Sequence, residues 1–236
     1  DDAVTSVAYS ADGHQIVTGS WDKTAKVWDA RTSKELMTLK GHEGWIYSAV
    51  YSADGERIVT ASGDNTAKVW DANTGKELFT LIGHDDAVTS VAYSADGERI
   101  VTASNDRTAK IWDANTGTEL FTLIGHDSGV RSVAYSPDGE RIVTGGEDNI
   151  VRVWDAKTGK EVTRKRIGGQ FYASAVLIKD KLYVVSRKRG TFIYSADGEF
   201  KLLGRNELED DSQFNASPAI AGEQLFLRSD KFLYCI

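Results

Sequence analysis

Serine, aspartate and histidine, the residues of nucleophilic and acid–base chemistry, recur along this sequence at fixed intervals. A reaction needs one assembled set of such groups, so copies repeated at turn positions read as architecture. No Gly-Xaa-Ser-Xaa-Gly lies between a strand pattern and a helix pattern, as a nucleophile elbow requires. No Gly-Lys-Ser/Thr loop is present to cradle phosphates. Metal chemistry is equally undersupplied, because a lone Cys235 and scattered histidines give no ligand cluster. Asp12, Asp54, Asp96 and Asp138 each sit alone in a separate hairpin, which does not make a calcium loop. His14, in the turn Ala11-Asp12-Gly13, reads as solvated. The sequence predicts no catalysis, no cofactor and no metal.

Composition narrows the remaining classes. Hydrophobic residues make up 41% and charged residues 27% of the 236 positions, enough apolar content for a packed core. No apolar run approaches the ~20 residues that span a bilayer, so no membrane insertion is expected. The net charge of −7 opposes general nucleic-acid binding, which needs cations to displace phosphate counterions. One cysteine excludes an intramolecular disulfide and leaves the redox compartment open, the cytoplasm being favoured. The sequence starts at Asp1-Asp2-Ala3 without methionine and reads as part of something longer.

The elements that must position these side chains follow from an internal repeat. Trp28, Trp70, Trp112 and Trp154 recur every 42 residues, each followed by aspartate. The units 43–84 and 85–126 match at about three-quarters of their positions. A period of 40–45 residues suits a four-stranded propeller blade. Within the third unit, Ala87 to Tyr93 alternates and is rich in β-branched residues, and Arg99 to Ser104 forms a second strand pattern. Thr108 to Trp112 and Glu119 to Leu123 complete four antiparallel strands. Their turns, Ser94-Ala95-Asp96-Gly97, Asn105-Asp106-Arg107 and Asn115-Thr116-Gly117, use residues suited to tight hairpins.

Gly41-His42 with Trp70-Asp71, Gly83-His84 with Trp112-Asp113, and Gly125-His126 with Trp154-Asp155 resemble the WD40 repeat over residues 1–168. That resemblance implies a buried hydrogen-bonded tetrad in each blade. The positions are His42, Thr60, Asp64 and Trp70, then His84, Thr102, Asp106 and Trp112, then His126, Thr144, Asp148 and Trp154. Blade 1 offers Thr18, Asp22 and Trp28 with no preceding histidine. A buried carboxylate needs donors, and imidazole and indole N–H groups supply them.

The period stops after Gly168, but strand patterns continue at 172–178, 181–186, 191–194, 200–203, 215–221, 224–227 and 231–236. Phe171-Tyr172-Ala173-Ser174-Ala175 echoes Phe214-Asn215-Ala216-Ser217-Pro218, and Lys181 to Val185 echoes Gln224 to Leu227. These segments resemble the quinoprotein-like (PQQ-like) propeller repeat, without its tryptophan-docking motif or cofactor-stacking tryptophan. The sequence therefore predicts one all-β propeller domain of six blades, four WD40-type over 1–168 and two quinoprotein-like over 169–236. The last blade has three strands, and an outer strand ending in Gly-His is expected before Asp1.

Departures from the repeat are the candidates for recognition. Trp21 stands where other blades carry Gly63, Asn105 and Glu147, and Trp45 replaces Ala3, Ala87 or Gly129. Tyr47 and Arg131 occupy a position held elsewhere by threonine, and Arg107 one held by lysine or asparagine. A second departure is basic: Arg164-Lys165-Arg166 and Arg187-Lys188-Arg189, with Arg131, could form one positive sector. The expected function is a monomeric, non-catalytic scaffold that binds a protein or peptide through the top face. The alternatives are a cofactor-less remnant or sensor of a quinoprotein-like enzyme, and a purely structural ring.

Overall fold

The 42-residue period builds one sheet at a time. In the computed structural model, residues 2–166 are described throughout, followed by 176–178, 181–186, 190–195, 201–206, 219–221, 224–228 and 233–235. The pattern that repeats most faithfully, 85–126, gives β9 (Val88–Tyr93), β10 (Arg99–Ser104), β11 (Thr108–Asp113) and β12 (Glu119–Ile124), paired in that order. All pairings are antiparallel. The first hairpin is closed by Gly97 at φ 72°, whose amide donates to the Ser94 carbonyl at 3.0 Å. Asp96 fixes that turn by accepting from Ser94 Oγ and the Glu98 amide.

Three further sheets copy this plan. Blade 1 holds β1 (Val4–Tyr9), β2 (Gln15–Ser20), β3 (Thr24–Asp29) and β4 (Glu35–Lys40). Blade 2 holds β5 (Ile46–Tyr51), β6 (Arg57–Ser62), β7 (Ala67–Asp71) and β8 (Glu77–Leu81). Blade 4 holds β13 (Val130–Tyr135), β14 (Arg141–Gly146), β15 (Ile150–Asp155) and β16 (Glu161–Arg166). Beyond the repeat, β17 (Val176–Ile178), β18 (Lys181–Ser186), β19 (Gly190–Ser195) and β20 (Leu202–Asn206) form a fifth sheet. β21 (Ala219–Ala221), β22 (Gln224–Arg228) and β23 (Leu233–Cys235) form a sixth, three-stranded one. The described residues thus form six sheets, as the strand patterns predict. In the tail, the fourth strand of sheet five lies at 202–206, shifted from the expected 200–203. No helix of the described residues is long and apolar enough to cross a membrane.

The core lies between sheets. Val59, Ala61, Val69 and Leu81 of blade 2 pack against Val88, Val91, Ile100 and Trp112 of blade 3. Each tryptophan of this kind buries ~200 Å², worth at most about 5 kcal/mol at ~25 cal/mol per Å². Guanidinium groups also tie neighbours together: Arg57 donates to the Ala114 carbonyl and Arg99 to the Ala156 carbonyl, both at 2.5 Å. Blade 1 breaks this rule on one side. Val4, Val7 and Tyr9 are 64%, 61% and 64% exposed, whereas their counterparts Ile46, Ala49 and Tyr51 are buried by blade 1 itself. A blade covers the face of the next one, and among the described residues nothing covers blade 1.

The inner strands share one irregularity that positions the site. At the rim a single residue bulges between paired neighbours: Thr5, Tyr47, Thr89 and Arg131. In blades 1 and 3 the bulged threonine donates Oγ1 to a carbonyl of the following blade, Ile46 and Val130 respectively, at 2.6 Å. Blades 2 and 4 place Tyr47 and Arg131 there instead. A bulge re-aims its side chain, so these two substitutions exchange an inter-blade bond for a side chain presented at the rim.

Candidate interaction site at the rim

The tetrad side chains come together in blades 2, 3 and 4. His42 Nδ1 lies 2.7 Å from Asp64 Oδ2, His42 Nε2 lies 2.7 Å from Thr60 Oγ1, and the Trp70 indole N–H donates to that oxygen at 2.9 Å. Blade 3 repeats this with His84 at 2.6 Å from Asp106 and 2.7 Å from Thr102, and with Trp112 donating to Thr102 at 2.8 Å. In blade 4, His126 lies 2.9 Å from Asp148 and 2.8 Å from Thr144, to which Trp154 donates at 2.9 Å. The partners fix the tautomer. Nδ1–H faces a carboxylate, while threonine Oγ1, already accepting from indole, uses its own proton to donate to Nε2. In blade 1, Trp28 donates to Thr18 at 2.9 Å, and Asp22 accepts from Thr24 Oγ1 at 2.6 Å.

A hydroxyl, an imidazole and a carboxylate in series are also the parts of a nucleophilic relay. Here Thr60, Thr102 and Thr144 have no solvent exposure at all. No substrate atom reaches them, so the relays act as structural struts. Burial works to raise the Asp64 and Asp106 carboxyls, but hydrogen bonds from His42 and Thr66, or from His84 and Thr108, outweigh it. Both are held well below the usual carboxylate range. Burial pushes the His126 imidazole below its ordinary value, against the pull of Asp148.

Blade 4 is the weakest copy. Ser62 and Ser104 accept the amides of Asp64 and Asp106 through Oγ, and Gly146 takes their place. Thr66 and Thr108 donate to the same aspartates at 2.6 and 2.7 Å, and Ile150 takes theirs. A Cβ at Gly146 would lie 2.4 Å from His126 Nδ1, so the ring occupies space that serine fills in the other blades.

The rim above the tetrads is where the blades differ. Trp21, on the turn after β2, and Trp45, just before β5, stack with ring centroids 5.0 Å apart and an interplanar angle of 25°. They remain 39% and 48% exposed. Their backbones are held firmly: Trp21 donates its amide to Ala3 at 3.0 Å, and the Trp45 carbonyl accepts from Gly63 at 2.8 Å. Gly44 lets the Trp45 loop descend onto Gly63-Asp64, since a Cβ there would lie 2.4 Å from the Asp64 nitrogen. Tyr47, half-buried, lies against Gly63, within 3.6 Å of where a Cβ would stand. The two tryptophans thus meet at the junction between blades 1 and 2, and Tyr47 lies one position further along the rim, over Gly63. The corresponding positions at the next junction are Gly63 and Ala87.

Between blades 3 and 4 the same two positions carry Asn105 and Gly129. Without a side chain at 129, a polar cleft of about 430 Å³ opens there. A Cβ on Gly129 would lie 3.1 Å from Asn105 Oδ1. Arg131 grips Glu147 with Nε and Nη2, both on Oε1, at 2.9 and 2.6 Å. Of the three parts of the expected positive sector, Arg131 is thus occupied by an acidic partner. Arg131 is neutralised by Glu147, and it sits on β13, three strands across the sheet from β16, roughly 14 Å at ~4.8 Å per strand. On β16 the run 164–166 divides: Arg164 lies 3.8 Å from Glu161, and the Lys165 ammonium lies 5.2 Å from the centre of the Tyr194 ring. Arg187, Lys188 and Arg189 lie outside the described residues. His14 is exposed, as its turn suggests. Among the described residues no group of three or more His, Cys, Asp and Glu is placed to hold a metal.

Comparison with known proteins defines the class. The model of the WD domain, G-beta repeat matches at 1–29, 33–71, 75–113 and 117–155, well over half the chain. The chain belongs to the WD40 family. Among relatives, a dynein assembly factor with WD repeat domains from Xenopus laevis is 44% identical over 45 residues, covering 19% of this chain and 11% of that protein. The peroxisomal targeting signal 2 receptor of Mus musculus is 46% identical over 50 residues, covering 19% and 16%. The matched stretches thus span less than a fifth of either relative. A chain in a crystal structure of the mitotic checkpoint complex superposes with a TM-score of 0.88 at 22% identity. That match covers 98% of this chain and 73% of the other, and at such identity it speaks for the fold alone.

Proposed function

We propose that this chain is a non-catalytic module that captures a protein or peptide segment at its rim, anchored on Trp21, Trp45 and Tyr47. The observation that carries this reading is the stacked, exposed tryptophan pair at one junction, where the next two junctions carry Gly63 with Ala87 and Asn105 with Gly129. Large aromatic groups on a rigid backbone are typical anchors of binding energy. The relatives' names, an assembly factor and a targeting-signal receptor, describe proteins that engage other proteins, which favours the same class here. Asn105, Arg107, Arg131 and Glu147 extend the surface toward blade 4, and the basic run at 187–189 belongs to the same proposal. The molecule acts as a monomer.

The domain reading joins this proposal. Residues 1–236 form one propeller, its first 168 residues in WD40-type blades and 169–236 in two quinoprotein-like ones. Two further antiparallel sheets beyond residue 168 support continuity of the ring. Peptides selected by display on the wild type, then titrated against Trp21→Ala/Trp45→Ala, test the function. Retained affinity in a folded double variant would remove the anchor from the account.

A further inference from the structure

We propose that the uncovered face of blade 1 docks a second polypeptide, one that presents a WD40-type β-sheet. The face consists of Val4, Val7, Tyr9, Ile16, Trp28 and Ala30, each of them at least partly open to solvent. Its counterpart in blade 3 is built from the same sequence, because residues 1–13 and 85–97 are identical. There Val88, Val91, Ile100, Trp112 and Ala114 are buried, packed against Val59, Ala61, Val69 and Leu81 of blade 2. Blades 2 and 4 are covered in the same way by blades 1 and 3. A contiguous apolar face on a folded protein marks an interaction surface, and the buried copy of this one shows what fits it.

The junctions already made specify the occupant. Its apolar face matches the one that Val17, Ala25, Val27 and Leu39 present to blade 2. Two polar contacts recur beside the apolar ones. A threonine on the inner-strand bulge donates to the carbonyl of Ile46 or Val130. An arginine at the start of the second strand donates to the carbonyl of Ala114 or Ala156. The corresponding acceptors on blade 1 are the carbonyls of Val4 and Ala30. A sheet with that apolar set, that threonine and that arginine is a WD40-type blade. The four WD40-type blades of a second copy have no such face to spare. Those of blades 1, 2 and 3 are occupied by the blades that follow, and Val143, Val151 and Val153 of blade 4 are buried as well. The occupant is therefore a different polypeptide.

Two measurements on the full chain test this. In the first, the chain is extended at Asp1 by a second copy of residues 43–84, so that its Gly-His runs into Asp1-Asp2 as Gly83-His84 runs into Asp85-Asp86. Hydroxyl-radical footprinting is expected to mark Tyr9 and Trp28 in the native chain. In the extended chain both should lose reactivity, down to the level of Tyr93 and Trp112. In the second, a dye-labelled synthetic peptide of residues 43–84 is titrated into the native chain. Saturable one-to-one binding is expected, at least about tenfold weaker in Val7→Lys/Tyr9→Lys, which would have to bury charge without a partner. The same peptide should not bind the extended chain, whose face is filled. Val7 and Tyr9 face solvent, so the lysine variant keeps the thermal midpoint of the native chain. Tyr9 and Trp28 that stay reactive in the extended chain would overturn the proposal, as would absent peptide binding or equal binding by the lysine variant. A native chain that sediments as a dimer, and as a monomer in Val7→Lys/Tyr9→Lys, would also overturn it by assigning the face to a second copy.

Discussion

The buried tetrads and the rim junctions sit a few residues apart in every blade, yet they obey opposite rules. His42, His84 and His126 hold the same partners with distances varying by only a few tenths of an ångström. At the rim, the paired positions run Trp21 with Trp45, then Gly63 with Ala87, then Asn105 with Gly129. The first layer is under a constraint of burial, where an unmatched polar atom is costly. The second faces solvent, where side chains change freely without loss of fold. Positions that repeat hold the sheets together, and positions that vary are available for recognition.

The largest way to separate the two layers is His84→Ala. It strands the Asp106 carboxylate and the Thr102 hydroxyl and is expected to cost about 1–3 kcal/mol. At roughly 2–4 °C per kcal/mol for a chain of this size, thermal unfolding moves down by several degrees, while affinity for rim-bound peptides stays nearly constant. A variant that kept its melting temperature and lost binding would make the histidine a functional group instead.

Tyr47→Thr probes the boundary between the layers from the other side. It reinstates the bulge threonine whose Oγ1 bridges blades at Thr5 and Thr89. An added hydrogen bond of this kind contributes about 1 kcal/mol, so chemical denaturation should show equal or greater stability, together with weaker peptide binding. A less stable, fully binding variant would show that the tyrosine is there for packing.

The smallest effect is in pH. A histidine whose folded pKa is depressed stabilises the fold above its unfolded value and loses that contribution as pH falls. His126 is such a group, so stability should begin to decline as pH drops below about 6.5. The lowered Asp64 and Asp106 carboxyls give a second decline at pH below about 4, by the same sign. In His126→Asn the upper decline should disappear, as measured by urea unfolding across pH. Its persistence would place the upper step elsewhere.

Much of the first layer was legible in the sequence. A 42-residue period, β-branched alternation and turn residues gave the strands of 1–168 within a residue or two, and the family motif named the tetrads. The rim was legible only as a set of departures. That Trp21 and Trp45 stack depends on how two blades meet, and no single repeat carries that information. The bulges at Tyr47 and Arg131 were missed, although threonine at both equivalent positions, Thr5 and Thr89, hinted at a special role. The Arg131–Glu147 pair was not legible, because the partners are 16 residues apart and meet only across a hairpin. The exposed face of Val4, Val7 and Tyr9 could not be read from a strand pattern identical to that of buried β9.

The separation of layers is tested most directly by one paired measurement on Trp21→Ala/Trp45→Ala. Calorimetric titration with a display-selected peptide and thermal unfolding are run on the same samples. Loss of about 2 kcal/mol or more in affinity, as expected of an anchor pair, with an unfolding free energy within about 1 kcal/mol of wild type, is the predicted result. A large loss of stability with affinity retained in the folded fraction would contradict it and return the tryptophans to the architecture.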